Sequence, residues 1–442
     1  MKKITFFIFS WCFITLNAQT KQWTLENCIQ HAIENNISIK QIELEKENVQ
    51  IDLNTSKMSR LPNLDAGLNQ NWSSGRGEGE SGLYETQTRS NTGFSVGSSM
   101  PIFTGFRISN QIARNKLELE AARENLAKAK EDLALSITSF YLQVLFNKEI
   151  VRINEEQLIL SKSQIERTKT LVEVGKVPLS QLYDIEAQVA KDEVSVVQAK
   201  NDLQVALLDL KQNMELETES SFDIVIPALN EVVSEYMSSI QPPQMVYNNA
   251  ISIKPVVREQ EYKIESAKRS VKIAQAGYLP KLDMNMGYST SYYYNYDLSD
   301  NASFRSQLKD KSGQYVAFNL SIPIFSRFSV RNQVRSAKIN ISNQQLILEN
   351  TKKTLYKEIH MAYINATSAQ EKYKASSRAV KASAESFKYA EERYEIGKSS
   401  VFEFNEAKTK LVQSQSEEIQ AKYDYIFRTK ILDFYNGIPI VL

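Results

Sequence analysis

Apolar residues recur every seven positions through two stretches of this chain. Ile112, Leu119, Leu126, Leu133 and Phe140 mark the first stripe, and Val334, Ile341, Leu348, Leu355 and Ala362 the second. A strict seven-residue spacing keeps one face of a helix against a neighbour in coiled-coil-like packing. Neither stretch, between Gly105 and Gly175 or between Pro323 and Gly397, contains a glycine or proline. Those residues are the usual helix punctuators, so each stretch is free to form one helix of roughly 100 Å at 1.5 Å rise per residue. The pattern predicts long helices over about 106–174 and about 326–396. Shorter helices return after the Gly-Lys pairs Gly175-Lys176 and Gly397-Lys398, over about 179–214 and about 401–435.

Ahead of each long helix the period changes from seven to two. Leu64, Ala66, Leu68 and Trp72 alternate with Asp65, Gly67, Asn69 and Asn71, and Phe94, Val96, Met100 and Ile102 alternate with Ser95, Gly97 and Ser99. Leu282, Met284, Met286 and Tyr288 repeat the pattern, as do Val316, Phe318, Leu320, Ile322 and Ile324. Strands are therefore expected over about 61–73, 93–103, 279–293 and 313–325, with polar loops Ser73 to Thr92 and Asn295 to Ser312 joining each pair. Alternation with one apolar face suits a membrane β-barrel strand, and also a hairpin of a soluble β-sandwich. Tyr288, Tyr292, Tyr293, Tyr294 and Tyr296 favour the membrane, since tyrosine gathers at the water–lipid boundary.

The chain contains itself twice. Leu61-Pro62-Asn63-Leu64-Asp65 returns as Leu279-Pro280-Lys281-Leu282-Asp283, and Pro101-Ile102-Phe103 as Pro323-Ile324-Phe325. From there the offset is a constant 222: Tyr141 maps to Tyr363 and Gly175 to Gly397. A duplicated helix–strand–strand–long-helix unit accounts for this. The expected division is a first repeat over 19–214, a linker or collar segment over 215–244 and a second repeat over 245–442. The fold class expected is mainly α with a small membrane β portion.

Residues 1–18 read as a secretory signal: Lys2 and Lys3, the apolar run Ile4 to Leu16, then Leu16-Asn17-Ala18 as a cleavage-like site. Cys28 is then the single cysteine of the mature chain, so no intrachain disulfide is expected. Net charge is +1, which gives no field toward nucleic acid. The two histidines, His31 and His360, sit in no metal-ligand spacing, and Gly75-Arg76-Gly77-Glu78-Gly79 lacks the Lys-Ser/Thr and helix start of a phosphate loop. No catalysis, cofactor or metal is expected. A soluble or periplasmic structural coiled-coil protein explains the seven-residue stripes but not the signal peptide or the four alternating strands. Four strands cannot close a barrel, and open edges are not tolerated in lipid, so membrane strands require several copies of the chain.

The order and duplication of these motifs resemble the TolC family over essentially the whole mature chain. The resemblance implies a homotrimer. Its twelve-stranded barrel would sit in the outer-membrane lipid of a Gram-negative bacterium, with a twelve-helix tunnel in the periplasm. The implied partners are a periplasmic adaptor and an inner-membrane pump of RND or ABC type. The implied function is an exit duct for efflux or type I secretion.

In that family the turn between long and returning helix lies at the periplasmic entrance. Its Tyr-x-x-Gly pattern, followed by acids six and nine positions after the glycine, is matched by Tyr394, Gly397, Glu403 and Glu406. The family's acids are typically aspartates. Glu403 and Glu406 share one helix face, and threefold symmetry would make them carboxylate rings that attract cations. The first repeat carries Gln181 and Asp184 at the equivalent places. Ser399 stands where the family often has arginine, so a closing contact from that arginine is not carried over. The turns Gly175-Lys176 and Gly397-Lys398 are the expected adaptor contacts.

Overall fold

The computed structural model describes residues 22–78, 82–217, 222–227, 240–297 and 300–440. The expected signal segment 1–18 lies outside them. The chain divides into two compact units, and each is built from both halves of the sequence: 1–40, 129–250 and 355–442 in the first, 41–128 and 251–354 in the second.

The first unit is almost wholly helical. It opens with β1 (Gln22–Trp23) and α1 (Leu25–Asn35). Thr24 caps α1 by accepting from the Asn27 amide at 3.3 Å. The unit also holds most of α3 (Arg107–Glu173), all of α4 (Leu179–Asn213), the two-residue strand β4 (Asp223–Ile224) and most of α5 (Pro243–Ile253). The later part of α8 (Ser329–Glu395) and the whole of α9 (Val401–Tyr435) complete it.

Its core gathers Trp23, Cys28, Ile137, Tyr141, Leu145, Leu210, Met214, Ile224, Tyr425 and Ile426. Tyr141 is buried, and its hydroxyl donates to the carbonyls of Val225 (2.6 Å) and Trp23 (3.3 Å). It thereby ties the parallel pair β1–β4 to the middle of α3. Cys28 is fully buried, and burial alone pushes its thiol up to about 12, so it behaves as a small apolar side chain.

The second unit places helices beside a sheet. Its helices are most of α2 (Ile37–Met58), the start of α3, α6 (Pro255–Gln275, followed by one 3-10 turn) and the start of α8. Asn115 on α3 donates to the Asp52 carbonyl on α2 at 3.2 Å. Ser266 on α6 donates to Glu118 on α3. Gly277, just after α6, lies against Val330 of α8 so closely that a Cβ there would stand 2.9 Å from a valine methyl.

Along α8 the less exposed positions include Val334, Ile341, Leu348 and Leu355, the seven-residue stripe that sequence predicts. On other faces Leu44, Ile51 and Met58 of α2, also seven apart, remain exposed, as do Ile339 and Leu346 of α8. No helix among the described residues is long and apolar enough to cross a membrane.

The sheet is antiparallel in the order β2 (Asp65–Glu78), β3 (Tyr84–Phe103), β5 (Lys281–Asn295), β6 (Gly313–Ser321). Register sets one face apolar: Leu68 opposes Phe94, Met100 opposes Met284, Met284 opposes Phe318, and Leu282 opposes Leu320. The other face carries the rows Asp65–Gly97–Gly287–Tyr315 and Asn285–Ala317. Leu64, Leu68, Trp72, Val316, Phe318 and Leu320 are all exposed.

Three details depart from the sequence reading. The first hairpin stays paired through Ser73–Glu78 and Tyr84–Arg89, where a polar loop was expected; an antiparallel ladder joins backbone to backbone and tolerates Ser, Gly and Thr. The expected loop 295–312 folds a short helix, α7 (Phe304–Asp310), capped by Ser303. Strand β6 stops at Ser321 rather than 325, just before Pro323, which lacks a ladder donor. In the expected linker 215–244 only β4 and the start of α5 form regular structure among the described residues.

Candidate functional site

The helical turns of the first unit end in matching caps. At the end of α3 the Lys176 amide donates to Leu171 O (2.9 Å) and the Gly175 amide to Val172 O (2.9 Å). At the end of α8 the Lys398 amide donates to Arg393 O (2.8 Å) and the Gly397 amide to Tyr394 O (3.1 Å). This is the Schellman arrangement, and it requires the left-handed φ of 68° at Gly175 and 70° at Gly397. Gly175, Lys176, Gly397 and Lys398 are exposed.

The chain then re-enters a helix. Pro178 precedes α4 without a side-chain cap, whereas Ser400 caps α9 by accepting from the Glu403 amide at 3.2 Å. The Ser399 hydroxyl donates to the Glu403 carboxylate. That hydrogen bond and one from the Ser400 backbone amide hold the Glu403 carboxyl below its ordinary range. Ser399, the residue at the family's arginine position, thus serves the acid directly. Glu406 lies on the same exposed face of α9, one turn on. Asp184 is exposed and Gln181 half-buried on α4. Among the described residues no hydrogen bond or ion pair joins Gln181 or Asp184 to Glu403 or Glu406.

Tyr394 turns inward within the unit. Its ring stacks on Phe404 at 5.0 Å between centroids, and its hydroxyl lies 3.4 Å from Thr168 Oγ1 on α3. One residue earlier on α3, Arg167 reaches the end of α8: Nη1 pairs with Glu395 Oε1 at 3.1 Å and Nη2 donates to the Glu395 carbonyl at 2.9 Å. A guanidinium on the last carbonyls of a helix also complements its dipole.

Deeper in the unit, Lys408 of α9 pairs with Asp192 of α4 at 2.7 Å and donates to Ser161 of α3. The sequence reading names neither Arg167–Glu395 nor Lys408–Asp192–Ser161. The partners lie up to 247 residues apart, and single charges on a charged helix carry no local signal. Among the described residues no group of three or more His, Cys, Asp or Glu side chains could hold a metal ion.

Long helices ending in glycine turns, with a four-stranded sheet whose apolar face is exposed, are the features that suit an outer-membrane protein. A profile described as outer membrane efflux protein matches residues 28–214 and again 246–432, so the chain belongs to the outer membrane efflux protein family. It is 22% identical to outer membrane protein TolC of Escherichia coli over 299 residues, a match covering 67% of this chain and 59% of that relative. It is 20% identical to outer membrane efflux protein BepC of Brucella suis over 410 residues, covering 91% and 83%. A crystal structure of CusC superposes with a TM-score of 0.77 at 16% identity, covering 95% of this chain and 93% of that one. The profile's two matches fall one on each half of the chain.

Proposed function

We infer that this chain is the outer-membrane exit duct of a tripartite efflux or type I secretion system, passing substrate outward from a periplasmic adaptor and an inner-membrane pump. One observation carries the reading. Among the described residues the sheet has an apolar face exposed to its surroundings and two free edges, β2 and β6. Four strands cannot close on themselves, and unpaired strand edges are not tolerated in hydrocarbon. Two copies would supply eight strands, which enclose little free space; three supply twelve and leave a passage. The homotrimer also gives the exposed seven-residue stripe of α2 and the exposed Ile339 and Leu346 of α8 a partner surface on the next copy.

At the turns, threefold symmetry would bring Glu403 and Glu406 into carboxylate rings, with Asp184 and Gln181 from the first repeat beside them. Such rings favour cations at a constriction. The exposed turns at Gly175-Lys176 and Gly397-Lys398 are the surface an adaptor would grip. Detergent-purified protein should run as a trimer and give discrete conductance steps in planar bilayers. A monomer that conducts nothing would overturn the assignment.

A further inference from the structure

Strand β5 is longer than its outer neighbour. Residues Lys281–Ser289 pair with β6, but Thr290–Asn295 extend past it with no strand on that side among the described residues. Two side-chain amides occupy that edge. Gln307 Oε1 accepts from the Tyr293 amide at 2.9 Å and its Nε2 donates to the Tyr293 carbonyl at 2.8 Å. Asn301 does the same for Asn295, accepting at 2.9 Å and donating at 2.8 Å.

In an antiparallel strand the amide and carbonyl of one residue point to the same side. Alternate residues Tyr293 and Asn295 therefore direct both groups away from β3, and the loop completes them as a strand would. Phe304 fixes the loop against the apolar face, meeting Tyr292 at 5.0 Å and Phe94 at 6.3 Å between ring centroids. Thr290 Oγ1 adds a bond to the Leu308 carbonyl at 2.7 Å. The helix α7 thus continues the sheet at the edge where β6 is missing.

Its far side is what a neighbour meets. Arg305 and Lys309 stand two positions from Gln307 in either direction, on the opposite face of the helix. Both are exposed, and neither has an ion-pair partner among the described residues.

The other free edge of the sheet is β2, 14 residues against 9 in β6. Asp65 follows α2 and Ser321 leads toward α8, so both lie at the helix-connected end of the sheet. Pairing β2 of one copy to β6 of the next from that end consumes Asp65–Ser73 and leaves Ser74–Glu78 without a strand. Glu78, the last of these, is exposed and unpaired among the described residues.

The geometry points to α7 as an interaction surface for a second copy of this chain: it seats against Ser74–Glu78 of the adjacent protomer, with Arg305 and Lys309 facing Glu78. This rests on the closed-barrel reading above and deepens it. The barrel wall at this end is part helix, and its seam is held by charge where the strand ladder stops. The loop also blunts an edge that would otherwise accept any strand.

Two cysteine pairs separate the ideas in outer membranes carrying the full-length protein, where native Cys28 is buried. Asp65→Cys with Ser321→Cys reports the strand seam, and Glu78→Cys with Lys309→Cys reports the helix contact. Within one protomer each pair spans the sheet's width, roughly 14 Å at about 4.8 Å per strand step, so a short bis-maleimide links only neighbours. Both pairs should yield covalent dimers and trimers. Seam linkage without helix linkage would sink the α7 contact and leave the duct standing; failure of both would sink the two together. Arg305→Glu with Lys309→Glu should lower the temperature at which the trimer splits, and adding Glu78→Lys should restore most of it. No recovery from the added Glu78→Lys would count against the charge pairing.

Discussion

Removing the Asp192 carboxylate alone should loosen the first unit far more than removing it together with the Lys408 charge and the Ser161 hydroxyl. Lys408 Nζ lies 2.7 Å from Asp192 Oδ2, with side-chain exposures of 4% and 13%. Ser161 donates to the same carboxylate, and Gln188 Nε2 donates to its other oxygen at 2.7 Å. At an effective dielectric near 20 the attraction is about 6 kcal/mol at that separation, largely offset by taking both charges out of water. Asp192→Ala keeps the desolvation of Lys408 and discards the attraction, which costs about 3–5 kcal/mol.

The triple substitution Lys408→Met, Asp192→Leu and Ser161→Ala removes both charges and the hydroxyl that would otherwise be stranded. It should be close to neutral or stabilising. Membrane proteins of this size commonly unfold irreversibly, so a melting midpoint is a poor gauge. Local amide hydrogen exchange over 401–414, read by mass spectrometry on the intact protein, measures the opening free energy directly. Asp192→Ala should speed exchange there about 10²- to 10⁴-fold, with the triple variant near wild type. Unchanged exchange in Asp192→Ala would refute the energetic argument. A triple variant as labile as the single would show that packing, rather than uncompensated charge, is what failed.

Other outcomes follow from the turns. Glu403→Ala with Glu406→Ala should weaken block of the open pore by di- and trivalent cations in planar-bilayer recordings; undiminished block would remove the carboxylate-ring assignment. Because the Ser399 hydroxyl and the Ser400 backbone amide lower the Glu403 pKa, the carboxylate stays charged as pH falls through the ordinary glutamate range and is lost only below it. Cation block should persist over the same range, and Ser399→Ala should move its loss to higher pH. Arg167→Ala frees the end of α8 at a cost in stability of no more than about 1 kcal/mol, as suits an exposed pair. It should nonetheless raise single-channel conductance if the turns form the constriction, and equal conductance would argue against that. Gly397→Ala meets no atom within 4 Å, so its cost is the left-handed backbone alone, about 1–2 kcal/mol. Exchange of the 393–398 amides should quicken about tenfold, and no change would mean that the cap is not held in that conformation.

What the sequence made legible was whatever repeats at short range. The seven-residue stripes lie on α3 and α8, each a 67-residue helix, because nothing between Gly105 and Gly175 or between Pro323 and Gly397 can break one cheaply. Alternation located the strand centres, since residues such as Met284 and Met286 must share a face. The strand ends were less legible: Ser73-Ser74-Gly75-Arg76-Gly77 has loop composition, yet its pairing with Glu85–Arg89 depends on the partner's backbone rather than on side-chain type. Helix α7 spans seven residues, too few for periodicity to declare itself. At the end of α4 the left-handed cap position is Glu215, φ 56°, so the glycine rule that marks Gly175 and Gly397 gives no warning there.

The turn region shows why local and distant partners differ in legibility. Glu403 and Glu406 are recognisable because they stand three apart on one helix and at fixed steps from Gly397. Tyr394 is recognisable for the same reason. What holds these residues is not local: Tyr394 reaches Thr168 across 226 residues and Arg167 reaches Glu395 across 228. Those separations straddle the duplication, and the offset of 222 does not predict them, since it relates equivalent positions rather than touching ones. Duplication therefore reveals which residues play matching parts, such as Gly175 and Gly397. Contact between the halves arises where the two copies have diverged, as with Arg167 against Tyr389, its counterpart in the second copy. A search of any duplicated channel subunit for coupling between its halves should accordingly begin with the positions where the repeats disagree.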